Sequence, residues 1–287
     1  MYQKNKDKYI IDLFCGCGGF AEGFERSGYQ SYLSADFDYW ACETFKSRFK
    51  KSKVINEDIT SDKFKATLKK QTKGVKIEGV VAGLPCQSFS SVGRAQDKFS
   101  MAKDKRNYFY KDFFECIKII KPNFFVFENV RGILSAKPNG VKIFDNILEL
   151  SKKLGYVTLD DTSKMVFDTS EYGVPQTRKR VFVIGVKKKY SKLIPKIYED
   201  LIYAQKDKNK YTVKDAISDL PPLKPGEGTD KVKLIKKNKN SYLKKIANSK
   251  FVFNHVARNH NERDRQRYKF LSKNNWELRD LKKIRPD

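Results

Sequence analysis

Three short stretches hold residue types able to do chemistry. "VVAGLPCQSFS" (80–90) delivers Cys86 behind Pro85 at the end of an apolar run. "FFVFENV" (124–130) ends in Glu128 and Asn129, and "QTRKRVFVIGV" (176–186) sets Gln176, Arg178 and Arg180 ahead of another apolar run. A cysteine is a good nucleophile only as the thiolate, which helix N-termini and a basic surface favour. A carboxylate half-buried after an apolar strand has a raised pKa and can act as an acid. On an extended strand Gln176, Arg178 and Arg180 point the same way, and two guanidinium groups on one face suit an anion or a carbonyl oxygen. Singly, each has a plain reading: a buried inert thiol, a structural carboxylate, a solvated edge.

Three more stretches suit an adenosine-containing ligand. "DLFCGCGGF" (12–20) carries Gly16, Gly18 and Gly19, which allow a tight turn and close backbone approach to a ligand at a helix N-terminus. It is not the G-x-G-x-x-G dinucleotide fingerprint. "SADFD" (34–38) ends a second apolar run, placing Asp36 to accept from ribose hydroxyls and Phe37 to stack on a purine. "NEDI" (56–59) puts Asp58 and Ile59 at the same rim. The three together are more specific than any one, and Asp58 alone reads better as a turn residue.

These residues must be placed by alternating elements. Strands are expected at 9–14, 32–37, 53–59, 77–84, 124–130 and 180–186. Helical patterns lie between them, at 39–49, 61–70 with Ser61 as N-cap, 107–121 and 141–155 among others. Strands alternating with helices, and strands apolar throughout, imply an α/β class: a doubly wound, mostly parallel, Rossmann-like sheet covered on both faces. In such folds ligands bind beyond the carboxyl ends of the strands. Residues 1–190 are expected to form this domain. From Lys187 onward the chain changes, with 28 Lys+Arg against 12 Asp+Glu. Residues 191–287 are therefore a basic extension, either a solvated, partly mobile tail or an ordered segment facing nucleic acid.

Composition bounds the partners. With 60 Lys+Arg against 34 Asp+Glu the net charge is +26, which points first to nucleic acid. No run is long enough to span a bilayer, and the N-terminus lacks the apolar core of a signal peptide. Five cysteines at 15, 17, 42, 86 and 116 form no disulfide framework, so a cytoplasmic, reduced protein is expected. Cys15 and Cys17 have no second pair to complete a zinc site, and no metal is expected.

Together "DLFCGCGGF", "GLPCQSFS", "FENVRGIL" and "QTRKRVFVIGV" resemble, in order and spacing, the cytosine-5 DNA methyltransferases. The resemblance implies a sheet that binds S-adenosylmethionine. Phe14, Gly16, Cys17 and Gly19 would line that cofactor. Asp36 would hold its ribose, Phe37 would stack on its adenine, and Asp58 and Ile59 would meet the adenine edge, with Pro85 and Phe109 as lesser contacts. It also implies covalent chemistry on a cytosine flipped out of double-stranded DNA. Cys86 would attack ring carbon 6, Glu128 would support ring nitrogen 3 and Arg180 would hold the ring oxygen, with Arg178 beside it. Gln87, Ser88, Asn129 and Gln176 would meet the substrate and Arg94 a phosphate, in a loop that closes over the base.

Members of that family continue past "QTRKR" into a target-recognition region and a final motif that packs back on the cofactor site. "KDAISDLPPL" and "HVARNHNERDRQRYKFL" look like its lead-in, and the chain stops at "IRPD". The chain is therefore expected to be either one half of a split enzyme, needing a second polypeptide with the missing parts, or a truncated reading frame, in a restriction-modification system. A tRNA cytosine-5 methyltransferase and a non-catalytic nucleic-acid-binding remnant are the alternatives.

Overall fold

A computed structural model describes residues 8–85, 104–204, 210–235, 240–246, 249–276 and 280. It divides into two compact units, Met1–Lys210 and Tyr211–Asp287.

The first unit is built on one sheet. Its strands are β1 (Lys8–Leu13), β2 (Tyr29–Asp36), β3 (Lys53–Asn56), β4 (Ile77–Gly83), β5 (Phe124–Val130), β6 (Tyr156–Thr158), β7 (Val166–Asp168) and β8 (Lys179–Lys187). The order is β3-β2-β1-β4-β5-β8-β6, with β7 also on β8. β1 to β5 run parallel, while β8 is antiparallel to β5 and to its short neighbours. The helices are α1 (Gly19–Arg26), α2 (Tyr39–Arg48), α3 (Asp62–Thr72), α4 (Phe109–Ile120), α5 (Ile143–Lys153) and α6 (Leu193–Ala204). This is the doubly wound, mostly parallel α/β class expected.

Local signals explain the helix limits. Asp38 caps α2 by accepting from the Ala41 N–H at 2.8 Å, and Ser61 caps α3 by accepting from Phe64 at 3.1 Å. α4 ends at Lys121 in the left-handed conformation, ahead of Pro122. Its Phe113, Phe114 and Ile117 are buried and its two phenyls pack edge-on against Phe125 of β5, each worth roughly 1.5–3 kcal/mol when fully buried.

Two features depart from the periodicity. The strand expected at 180–186 forms from Lys179, but the extended backbone expected to carry Gln176 in line with Arg178 and Arg180 does not reach that far back. Thr169 and Asp168 fold the preceding segment over: Thr169 donates to the carbonyls of Gln176 (2.6 Å) and Arg178 (3.1 Å), and Asp168 accepts from the Arg178 N–H (3.2 Å). Gln176 is thus an exposed bend residue, not the partner of Arg178 and Arg180 on one strand face. The first unit also reaches Lys210 rather than residue 190, because α6 buries Ile194 and Tyr198 in its core.

The second unit holds α7 (Val213–Ile217), β9 (Gly228–Lys233), α8 (Ser241–Ile246), β10 (Phe251–Val256) and α9 (Glu262–Asn274). β9 and β10 pair as an antiparallel ribbon. No described helix is long and apolar enough to cross a membrane.

Candidate functional site

The carboxyl ends of β1, β2, β4 and β5 form one rim. β1 leaves the sheet through Phe14, whose φ of 55° is left-handed, a conformation costly for a residue with a side chain. Its ring stacks on Phe109 with centroids 5.6 Å apart, so α4 fixes it. The turn that follows is held from below. Asp36 accepts from the Gly16 N–H at 2.9 Å and the Asp38 N–H at 2.9 Å, tying the first rim turn to the second. Gly18 has φ 92°, and a Cβ there would lie 2.3 Å from the Phe49 ring, so only glycine fits. A Cβ on Gly16 or Gly19 would meet nothing within 4 Å, so this backbone faces open space.

Asp12 was not singled out in the sequence, although an acid inside the apolar run "YIIDLF" is the signal that could have found it. It is fully buried and accepts from the Ala21 N–H at 3.2 Å, capping α1 from the neighbouring strand because Gly18 has no side chain to do so. Its other oxygen has no partner among the described residues. Burial pushes its pKa up to about 8, opposed by that bond and reinforced by Asp36.

Glu128 and Arg180 meet at the end of β5. Nε of Arg180 lies 2.6 Å from Oε1 of Glu128, yet this N–H makes no aligned hydrogen bond, while Nη1 donates to the Lys179 carbonyl at 2.7 Å. The contact is a close ion pair, poorly aligned as a hydrogen bond. Burial raises the Glu128 pKa, against the pull of Arg180 and then Arg178. Gly83 pairs with Glu128 across the sheet, and a Cβ on Gly83 would lie 4.0 Å from its Oε2. Asn129 is buried: its amide donates to the Leu84 carbonyl at 3.4 Å and its oxygen accepts from Val130 at 2.8 Å. It fastens the turn that leads into Pro85 instead of facing the rim. Arg178 is exposed.

Other residues singled out are also placed. Phe37 is 72% exposed at the end of β2, free to stack. Asp58 is a turn residue, accepting from the Thr60 N–H and hydroxyl at 2.9 and 2.8 Å, and Ile59 is buried beneath it. Cys17 is exposed in the glycine turn. Cys86, Gln87, Ser88 and Arg94 lie outside the described residues. Of the described cysteines, Cys15, Cys42 and Cys116 are buried, and burial raises the pKa of each, which keeps them protonated. A cavity of about 550 Å³ lined by Phe14, Gly19, Phe20, Gly83, Glu128 and Phe182, among others, joins the glycine turn to the acid.

The fold and rim define a Rossmann-like α/β protein with an open glycine turn beside a half-buried acid–arginine pair. The family model for C-5 cytosine-specific DNA methylases matches residues 9–285, and the chain belongs to that family. It is 38% identical over 258 residues to the Type II methyltransferase M.DdeI of Desulfomicrobium norvegicum, covering 88% of this chain and 58% of that protein. It is 30% identical to the Type II methyltransferase M1.HphI of Haemophilus parahaemolyticus, covering 96% and 64%. A solved structure of a putative DNA modification methyltransferase from an E. coli prophage superposes with a TM-score of 0.62 at 27% identity, covering 84% of this chain and 64% of that one. The chain thus spans about three fifths of the length of these relatives.

Proposed function

We propose that the chain is the catalytic part of a DNA cytosine-5 methyltransferase of a Type II restriction-modification system. The observation that carries this is the Glu128–Arg180 pair, a half-buried acid 2.6 Å from a guanidinium, set beside the strand end that leads to Pro85 and Cys86.

Cytosine is a poor nucleophile at carbon 5, and an attack at carbon 6 cures this. The Cys86 thiolate would bond to carbon 6, and the displaced ring electrons would make carbon 5 nucleophilic. Glu128, its pKa raised by burial, is suited to give a proton to ring nitrogen 3 as those electrons arrive. Arg180 would donate from its guanidinium to the ring oxygen, with Arg178 adding positive potential. Carbon 5 then takes the methyl group, loses its proton to a base, and the carbon 6–sulfur bond breaks to release Cys86. The reacting face is hidden in a stacked duplex, so the base must be flipped out.

S-Adenosylmethionine supplies an electrophilic methyl on a sulfonium. The rim fits it: Gly16 and Gly19 face open space, Phe14 is fixed at the turn, and Phe37 is exposed at the end of β2. Asp36 would hold a ribose through lone pairs left over from its bonds to Gly16 and Asp38. Asp58 and Ile59 would flank adenine, and Pro85, Phe109 and Cys17 would close the pocket. Asn129 would position the catalytic turn.

The test is a pool of random-sequence duplexes carrying 5-fluorocytosine, incubated with S-adenosylmethionine and run on a denaturing gel. A covalent adduct is expected, absent in Cys86→Ser. No adduct even when the missing target-recognition polypeptide is supplied, or a preference for tRNA, would overturn the reading. Run on the purified chain alone, the assay also reads the need for a second polypeptide.

A further inference from the structure

The second unit carries a surface that the rim chemistry does not use. Residues 231–260 hold nine Lys+Arg and no Asp or Glu. Part of this acid-free stretch forms the β9–β10 ribbon, where Lys233 pairs with Phe251 and Lys231 with Phe253. Directly paired residues project to the same side of a sheet, so two lysines and two phenyl rings share one face. That face is open: Phe251 is 40% and Phe253 60% exposed. The other face carries half-buried Val232 and Val252. By alternation Asp230, the one acid on the ribbon, falls with the valines.

Nζ of Lys231 lies 4.6 Å from the Phe251 ring centre and 5.8 Å from that of Phe253, held by the ring faces. Among the described residues neither Lys231 nor Lys233 has a carboxylate partner. On α9, by contrast, Arg265 pairs with Glu262 and Arg267 with Asp264.

We propose that the outward face of the β9–β10 ribbon grips duplex DNA, Lys231 and Lys233 neutralising phosphates while Phe251 and Phe253 lie against the sugars between them. The occupant is a polyanion because four residues of this face offer two cations without a carboxylate partner among the described residues, and no acid. It is DNA because this inference rests on the reading of the chain as a DNA methyltransferase. Each lysine that displaces a condensed counterion adds about 0.9 to the slope of log affinity against log salt.

The experiment is fluorescence anisotropy with the full chain and a labelled random-sequence duplex between 50 and 200 mM salt, about the range over which such contacts are read. Lys231→Ala with Lys233→Ala should lower the salt slope by about two. Phe251→Ala with Phe253→Ala should weaken binding at every salt and leave the slope unchanged. Arg265→Ala with Arg267→Ala should move the slope less than the lysine pair. If the phenylalanine variant melts early, Phe251→Leu with Phe253→Leu keeps an apolar strand residue and removes the rings. Unchanged affinity and slope in the folded lysine and phenylalanine variants overturn the proposal. So does an effect confined to RNA. The fluorocytosine adduct scores the chemistry separately: an adduct with no ribbon effect sinks the ribbon alone, whereas no adduct even with the missing target-recognition polypeptide supplied sinks the methyltransferase reading.

Discussion

Glu128 shows how one side chain is tuned by its neighbours. Burial raises its pKa and two arginines pull it back, so the acid is kept available without being locked in its neutral form. Glu128→Gln should lower the rate of adduct formation by about 10²–10⁴-fold. The wild-type rate should fall as pH rises through the raised pKa, and the glutamine variant should lose that limb. A glutamine variant with wild-type rate and pH profile would remove Glu128 from the mechanism. Asp12 gives a stability test. Its folded pKa of about 8 lies above its ordinary 3.8, so the folded chain holds a proton that the unfolded chain releases between these values. Its contribution is therefore lost as pH rises toward 8. Asp12→Asn should melt at a temperature that gains on the wild type from pH 5 to pH 8, and a constant difference would show that Asp12 is ionised throughout.

At the scale of elements, β8 is the most instructive. β7 pairs with Lys179 to Val181 and β6 with Gly185 to Lys187, leaving a gap on that edge between them. α6 closes the gap with one atom: the Tyr198 hydroxyl donates to the Phe182 carbonyl at 2.9 Å and accepts from the Ile184 N–H at 3.1 Å. Tyr198→Phe would leave a buried donor and acceptor unpaired at a cost of about 1–3 kcal/mol. A domain of this size should lose roughly 2–4 °C of melting temperature per kcal/mol. The glycine turn is equally committed: Gly18→Ala drives a Cβ into Phe49 and forces a left-handed alanine. It should cost roughly 2 kcal/mol or more and weaken S-adenosylmethionine binding in calorimetry.

For the whole molecule, charge and core give different boundaries. Basic composition begins at Lys187, but the buried apolar residues of the first unit continue to Tyr198. A fragment of residues 1–210 should therefore unfold cooperatively, while 1–190 should aggregate or bind hydrophobic dye, because it uncovers Phe167 and Phe182 along with the β8 gap. Equal behaviour of the two fragments would show that α6 is not part of that core.

The sequence alone determined the alternation of strands and helices and the rim residues at strand ends, because period, apolar runs and caps are local properties. "FENV" and "QTRKR" were legible as an acid and paired arginines for the same reason. Only the tertiary structure decided that Glu128 meets Arg180, since their antiparallel pairing joins segments some fifty residues apart. It also decided that Gln176 leaves the strand and that Asn129 turns inward to hold the Leu84 carbonyl. Those outcomes depend on which side chain finds a partner in three dimensions, and no spacing along the chain encodes that directly.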